Sequence, residues 1–563
     1  MDLVLRGARV IDGTGGRSYT ADVGVAIGPD GAGRIAEIRR EPGGAGGGTG
    51  TGSGTRPGAA GTGGGTRGGA GTRRLGGRRV VDADGLALAP GFIDMHAHSD
   101  LALLRDPGHE AKAAQGVTLE VLGQDGLSYA PVDDTVLAAL RTQLAGWNGD
   151  GGVDFDWRTV GGYLDRLDRG VAVNAAYLVP QGTVRALAMG FDDRPPTPAE
   201  LERMRRLVAQ GLAEGAVGLS SGLTYTPGMY ATDAELAALL RVVADHGGYY
   251  CPHHRSYGKG ALDAYTQMLA LAERTGCALH LAHATMNFDV NKGRAADLLA
   301  LLDAAIARGA DVTLDSYPYT AGCTTLAALL PSWAASGGPE ATLRRLRDDA
   351  TAERIRHALE VEGSDGSHGV PMDWSTIEVS GVGDPADPAL AGYVGRRLDG
   401  WASARALLLA DRLGTTILQH VGDEANVAAI MRHPAHTAGS DGILHGAKPH
   451  PRAYGTFPEY LGRYSRESGV LGLEECVAHL TGRPAARLRL PDRGLVREGY
   501  RADLVLFDPA EVASRATYDR PRALPAGIPY VLVDGRFVMD GGRRTAELPG
   551  RSVRRTPWPA PAG

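Results

Sequence analysis

Through most of the chain, short apolar runs alternate with longer stretches whose apolar residues recur at helical spacing. The helical spacing covers 201–214, 233–245, 261–275 and 294–308. Compact runs follow three of these stretches: GGYYCPHHR at 247–255, CALHLAHA at 277–284 and DVTLDSYPY at 311–319. Strand, loop and helix repeated over several hundred residues predict an α/β fold with a parallel sheet, because parallel strands need a crossover between them. A (β/α)8 barrel and a doubly wound sheet both satisfy this pattern.

The two ends read differently. Residues 2–11, 23–38, 494–509 and 528–543 are β-rich runs broken by Gly and Asp, and the VDG and MDGG turns suit hairpins. Between 43 and 77, 18 of 35 residues are Gly, too little apolar surface to offset the entropy of ordering, so a disordered insert is expected. The expected organisation is therefore a small β-sandwich built from both ends. Its first part is 1–89 and its second part 486–563. The α/β unit fills 90–485, with a possible insertion of weaker periodicity at about 335–415.

Composition narrows the function classes. The net charge is −6 with both signs mixed and only 6% aromatic residues, which argues against nucleic acid as the main partner. Four cysteines stand far apart with no CxxC pair, the usage of a reducing compartment. No stretch approaches the roughly 18 apolar residues of a membrane span, and MDLVLRGARV does not read as a signal peptide. A cytoplasmic protein acting on a small molecule is expected, of unknown oligomeric state.

GFIDMHAHSD at 91–100 carries the first chemistry. Side chains of a strand alternate between faces, so His96 and His98 are expected on one side, where they share a metal or crowd each other. Asp125 follows the apolar TLEVL, His253 follows GGYYCP, His283 ends LHLAH, and Asp441 sits in TAGSDG. In a barrel, the C-terminal ends of the strands converge on one face, so these six residues can meet in one pocket. Taken singly, Asp125 and Asp441 also suit turns. His254, His433, His436, His445 and His450 read as structural, and Cys251 and Cys323 as packed.

PGFIDMHAH resembles the signature of the amidohydrolase superfamily. Together with GAVGLSSGLTYTPG, PHHRSYG, LAHATM, LDSYPYTAG and GSDGILHGAKPHPRAYGTFPEYL, it makes the chain similar to the N-acyl-D-amino-acid deacylases (D-aminoacylases). The resemblance implies a TIM-type (β/α)8 barrel with a small β-sandwich from the N- and C-terminal segments. It implies His96, His98 and Asp441 at one metal position and His253 and His283 at the other. Asp125 stands where the family has a cysteine ligand, Thr285 where it usually has a lysine, and Cys323 where a small hydroxyl residue is usual. A carboxylate is a valid zinc ligand but a harder one than thiolate. One or two Zn²⁺ ions are expected, with Mn²⁺ or Co²⁺ as substitutes.

The implied reaction is hydrolysis of the amide of an N-acyl-D-amino acid or related conjugate. Asp441 is expected as general base and acid, with Tyr317 as a candidate for stabilising the oxyanion. Arg452 occupies the family's carboxylate-binding position; Arg255 and Tyr225 are further candidates for substrate contact. Two rivals remain at this level: a cyclic-amide hydrolase or deaminase on the same scaffold, and a non-catalytic binding protein.

Overall fold

The computed structural model describes residues 1–41, 74–149 and 151–555. Eight parallel strands form the central sheet: β1 (Phe92–Asp94), β2 (Val117–Leu122), β3 (Asn174–Pro180), β4 (Gly218–Gly222), β5 (Tyr249–His253), β6 (Ala278–Leu281), β7 (Val312–Ser316) and β8 (His436–Ala438). Each pairs with the next in chain order. The Met95 N–H donates to the Ala438 carbonyl (3.1 Å) and the His98 N–H to that of Gly442 (3.3 Å), so β8 comes back against β1. This is a (β/α)8 barrel.

The alternation of strand side chains explains how the barrel is filled. Ile93, Met95, Leu119, Val121, Ala176, Leu178, Tyr249 and Cys251 share one core inside the sheet, whereas Phe92, Tyr177, Val179 and Tyr250 pack with the surrounding helices. Both faces are covered, so the strands read as unbroken apolar runs. The helices over Pro198–Ala213, Asp233–Asp245, Ala261–Thr275 and Ala295–Ala307 match the spacing seen in the sequence to within a few residues. The first begins at a capping box, in which Thr197 and Glu200 satisfy each other's backbone N–H.

The chain ends join in one nine-stranded sheet. Ala87–Pro90 pairs antiparallel with Leu504–Phe507, which ties the first segment to the last. Leu504 and Leu506 enter the core of this sheet, while Val505 and Phe507 face the barrel's helical layer. Residues 43–73 of the glycine-rich stretch lie outside the described residues. After β7, a three-stranded antiparallel sheet (321–325, 416–420, 377–381) and short helices enclose a separate core that includes Leu343, Ile355, Trp374, Trp401 and Ile417. This unit leans over the C-terminal ends of the strands and supplies Cys323, Leu329, His368 and Gln419 to the wall of a cavity there.

Candidate functional site

His96 and His98 lie on the bend just past β1, Asp125 three residues past β2, and His253 at the last position of β5. His283 follows β6 by two residues and Asp441 follows β8 by three. All six are buried. Asp125, His283 and Asp441 hold φ values of 54°, 32° and 49°, a left-handed conformation that is uncommon outside glycine. Such conformations persist where the surroundings over-determine them, and they cluster at functional sites.

The six side chains converge in two sets that share Asp125: His96, His98, Asp125 and Asp441, and Asp125, His253 and His283. In the first set, His98 Nε2 is 3.1 Å from Asp441 Oδ1 and 3.6 Å from Asp125 Oδ2, and His96 Nε2 is 3.5 Å from Asp125 Oδ1 and 3.8 Å from Asp441 Oδ1. In the second, His253 Nδ1 and His283 Nε2 are 3.0 Å apart, and each is 3.5 Å from an Asp125 oxygen. Four donors around zinc at about 2.0–2.1 Å stand about 3.3 Å from one another, close to these separations. Asp125 directs one oxygen to each of His96 and His283 and the other to each of His98 and His253.

Electrostatics favour a cation here. Burial alone would lower the His96 pKa, but the charges of Asp125, Asp441 and Asp315 hold it at about 9. Both His96 ring nitrogens and Asp125 Oδ1 are buried without a hydrogen-bond partner, a costly state for polar atoms that a bound cation would relieve. The residues present therefore fit a metal ion.

Neighbouring groups orient these donors. Thr224 Oγ1 lies 2.7 Å from His253 Nε2, which leaves Nδ1 facing Asp125. Asp315 accepts the backbone N–H of His283 (2.9 Å) and pairs with His280 (3.0 Å). Beneath the first set, the buried Lys112 ammonium donates to Asp94 (2.6 Å) and Ser440 Oγ (2.9 Å) and pairs with Glu120 (2.8 Å). Asp94 in turn accepts the N–H of His96 (3.2 Å) and of Ser440 (2.8 Å). Lys112, Glu120 and Trp147 carry no metal-ligand signature in sequence. Asp94 and Asp315 lie inside PGFIDMHAH and LDSYPYTAG, but nothing in those runs separates a supporting carboxylate from a turn residue.

The site opens into a cavity with about 670 Å³ of empty space, the solvent at its mouth included, and its wall includes Trp147, Tyr225, Tyr257, Tyr317 and Thr324. The Tyr225 hydroxyl pairs with Thr324 Oγ1 (3.0 Å). Arg452 is fully buried behind Asp441. Its Nη2 lies 3.0 Å from Asp441 Oδ2 and donates to the Cys323 carbonyl (3.3 Å), and its guanidinium stacks 4.5 Å from the centre of the Tyr317 ring. Burial would raise the Asp441 pKa, but Arg452 and His98 outweigh it and hold the carboxyl below the usual carboxylate range.

Arg255 requires a correction. Its guanidinium is occupied by the carbonyls of Met229 (2.9 Å) and Ala231 (2.5 Å). It ties down the turn after β4, a structural engagement that the sequence did not separate from substrate contact. His254 packs against Tyr257 and Tyr265, with ring centroids 4.1 and 4.0 Å away, outside both donor sets.

The family model that matches residues 79–539 is the Amidohydrolase family. An N-acyl-D-glutamate deacylase of Alcaligenes xylosoxydans xylosoxydans is 34% identical over 99% of this chain and 97% of its own length. A D-aminoacylase of the same organism is 35% identical over 84% of this chain and 89% of its own. Among solved structures, an N-acyl-D-glutamate deacylase from Bordetella bronchiseptica, complexed with zinc and a phosphonate mimic of the tetrahedral intermediate, superposes with a TM-score of 0.77. It is 31% identical and covers 99% of this chain and 100% of that one.

Proposed function

The chain belongs to the amidohydrolase family, and on that footing we propose that it is a zinc-dependent deacylase that hydrolyses the amide of N-acyl-D-amino acids. The observation that carries this reading is the convergence of six buried donors at the mouth of the barrel, around a carboxylate shared by two donor sets. His96, His98, Asp125 and Asp441 would hold one ion, and Asp125, His253 and His283 the other. When bound, zinc supplies a Lewis acid that polarises the amide carbonyl and lets a water deprotonate near neutral pH.

The protein's own groups do the rest. Asp441 stands ionised, so it accepts the proton of the attacking water and then delivers it to the departing amine nitrogen. Tyr317, on the cavity wall, is placed by the Arg452 guanidinium over its ring and donates to the oxygen of the tetrahedral intermediate. Arg452 Nε and Nη1 are buried without partners and form the anchor for the α-carboxylate of the substrate. Tyr225 and Trp147, in edge contact at 5.2 Å, close the side of the pocket next to His98 and His253. Four free cysteines suit a reducing compartment, and we take the cytoplasm as its setting; no described helix is long and apolar enough to cross a membrane.

The test is release of the free amino acid from N-acetyl-D- and N-acetyl-L-amino acids by the zinc-loaded protein, beside hydantoins and dihydropyrimidines. Turnover of the D-series is expected. Hydrolysis of the cyclic amides alone would put the chain with a different branch of the same scaffold.

A further inference from the structure

Two relatives of almost equal identity, at 34% and 35%, differ in what their names specify: one is an N-acyl-D-glutamate deacylase, and the other is a D-aminoacylase, a name that specifies no side chain. Identity therefore does not choose between an acidic and a neutral side chain, but the charges around the cavity do. An N-acyl-D-glutamate carries two carboxylates and an N-acyl-D-leucine carries one. Each carboxylate that leaves water inside a cavity needs a cationic or hydrogen-bonding partner, because a buried charge without one is strongly disfavoured.

Among the described residues, no lysine or arginine lines the cavity. The guanidinium immediately behind the wall is that of Arg452, with Nη2 committed to Asp441 and Nε and Nη1 unpartnered. It can answer one carboxylate. Beyond the metal-ligand types, much of the wall is neutral: Phe288, Leu329, Ala328, Gln419, Asn287 and Thr285. Thr285 Oγ1 donates to Asn287 Oδ1 (2.8 Å), and the amide groups of Asn287 and Gln419 offer only uncharged donors to this side of the cavity. His368, also on the wall, is kept uncharged: burial, then the repulsion of His253, pushes its pKa down to about 3.

We infer that this enzyme selects N-acyl-D-amino acids with an uncharged side chain and rejects those with an acidic one. The inference rests on the deacylase reading given above. It deepens that reading by naming the substrate class: one carboxylate on Arg452, and an apolar or neutral polar side chain against Phe288, Leu329 and Gln419.

The experiment compares kcat/KM of the zinc-loaded protein for N-acetyl-D-leucine, N-acetyl-D-methionine, N-acetyl-D-glutamate and N-acetyl-D-aspartate. A charged hydrogen bond that goes unmade corresponds to a factor of about 10–150, so the neutral substrates should lead by about 100-fold. Parity, or a lead for the acidic pair, overturns the inference and leaves the deacylase reading standing. No turnover of any D-substrate, with turnover of L-substrates or cyclic amides, removes both. The variant Thr285→Lys brings a cation to the wall and should shift the ratio of glutamate to leucine substrate upward by about tenfold or more. An unmoved ratio in a variant that still hydrolyses the leucine substrate would mean that charge is not what excludes the second carboxylate, and the inference falls.

Discussion

Asp441 meets His98 on one oxygen and Arg452 on the other (3.1 and 3.0 Å), so the proposed base and the proposed anchor are mechanically joined. Replacing Asp441 with Asn keeps the shape and removes the proton acceptor. The expected result is a loss of about 10²–10⁴ in kcat with an unchanged circular dichroism spectrum. Arg452→Met should raise KM about 10–100-fold for an N-acetyl-D-amino acid, and much less for the corresponding carboxamide, which presents no carboxylate. An equal effect on acid and carboxamide would remove Arg452 from recognition. Asp125 invites a chemical test of its own. A thiolate is softer than a carboxylate, so Asp125→Cys should retain zinc longer against a chelator and be reactivated less well by Mn²⁺. Metal analysis after timed dialysis reads this directly.

Lys112 stands on the short helix Glu110–Ala113 between β1 and β2, yet it ties together three elements: Asp94 of β1, Glu120 of β2 and Ser440 of the loop after β8. Because Asp94 also accepts the N–H of His96 and of Ser440, this ion cluster sets both the bend that carries His96 and the loop that carries Asp441. Lys112→Met leaves two carboxylates buried with their cation removed, which should destabilise the protein by about 3–5 kcal/mol in urea unfolding. The same cluster makes the fold acid-sensitive. Burial alone would raise the Glu120 pKa, but Lys112 and then His109 hold it down at about 2, below the ordinary glutamate value of 4.5. A depressed carboxyl contributes stability that is fully present above about pH 4.5 and is lost as pH falls towards 2. Unfolding free energy followed from pH 6 to 3 should therefore decline below about pH 4.5, and decline less steeply in Glu120→Gln. None of this could be read from the sequence. Lys112 looks there like one surface cation among many, since only the fold brings the loop after β8 within reach of the helix Glu110–Ala113. The helices and the strand-end histidines were legible because they obey local rules of periodicity and alternation. The guanidinium of Arg255, also beside a strand-end histidine, is a second carboxylate candidate in the sequence, and only the fold shows its two carbonyl partners.

At the scale of the whole molecule, the donor sets draw on the ends of β1, β2, β5, β6 and β8, so a bound cation fastens the first strand to the last across the mouth of the barrel. The class of fold followed from the alternation of helix and strand. The choice of a barrel over an open sheet did not, because closure depends on contacts such as Met95 with Ala438, more than 300 residues apart in sequence. That closure gives the metal a structural role beside the chemical one. Without it, the chain keeps Asp125 and Asp441 against a protonated His96 in a buried site, with donor atoms unsatisfied. A ligand that binds the native state alone stabilises it by RT ln(1 + [L]/Kd), about 4 kcal/mol at a thousandfold excess over Kd. Dialysis against a chelator should therefore lower the unfolding midpoint and abolish turnover together, and added Zn²⁺ should restore both with the same concentration dependence. A metal-depleted protein that kept full activity would contradict the catalytic role of the cation. One that lost activity but kept its midpoint would confine the metal to chemistry, and would leave the closure of the barrel to the Lys112 cluster and the backbone hydrogen bonds between β8 and β1.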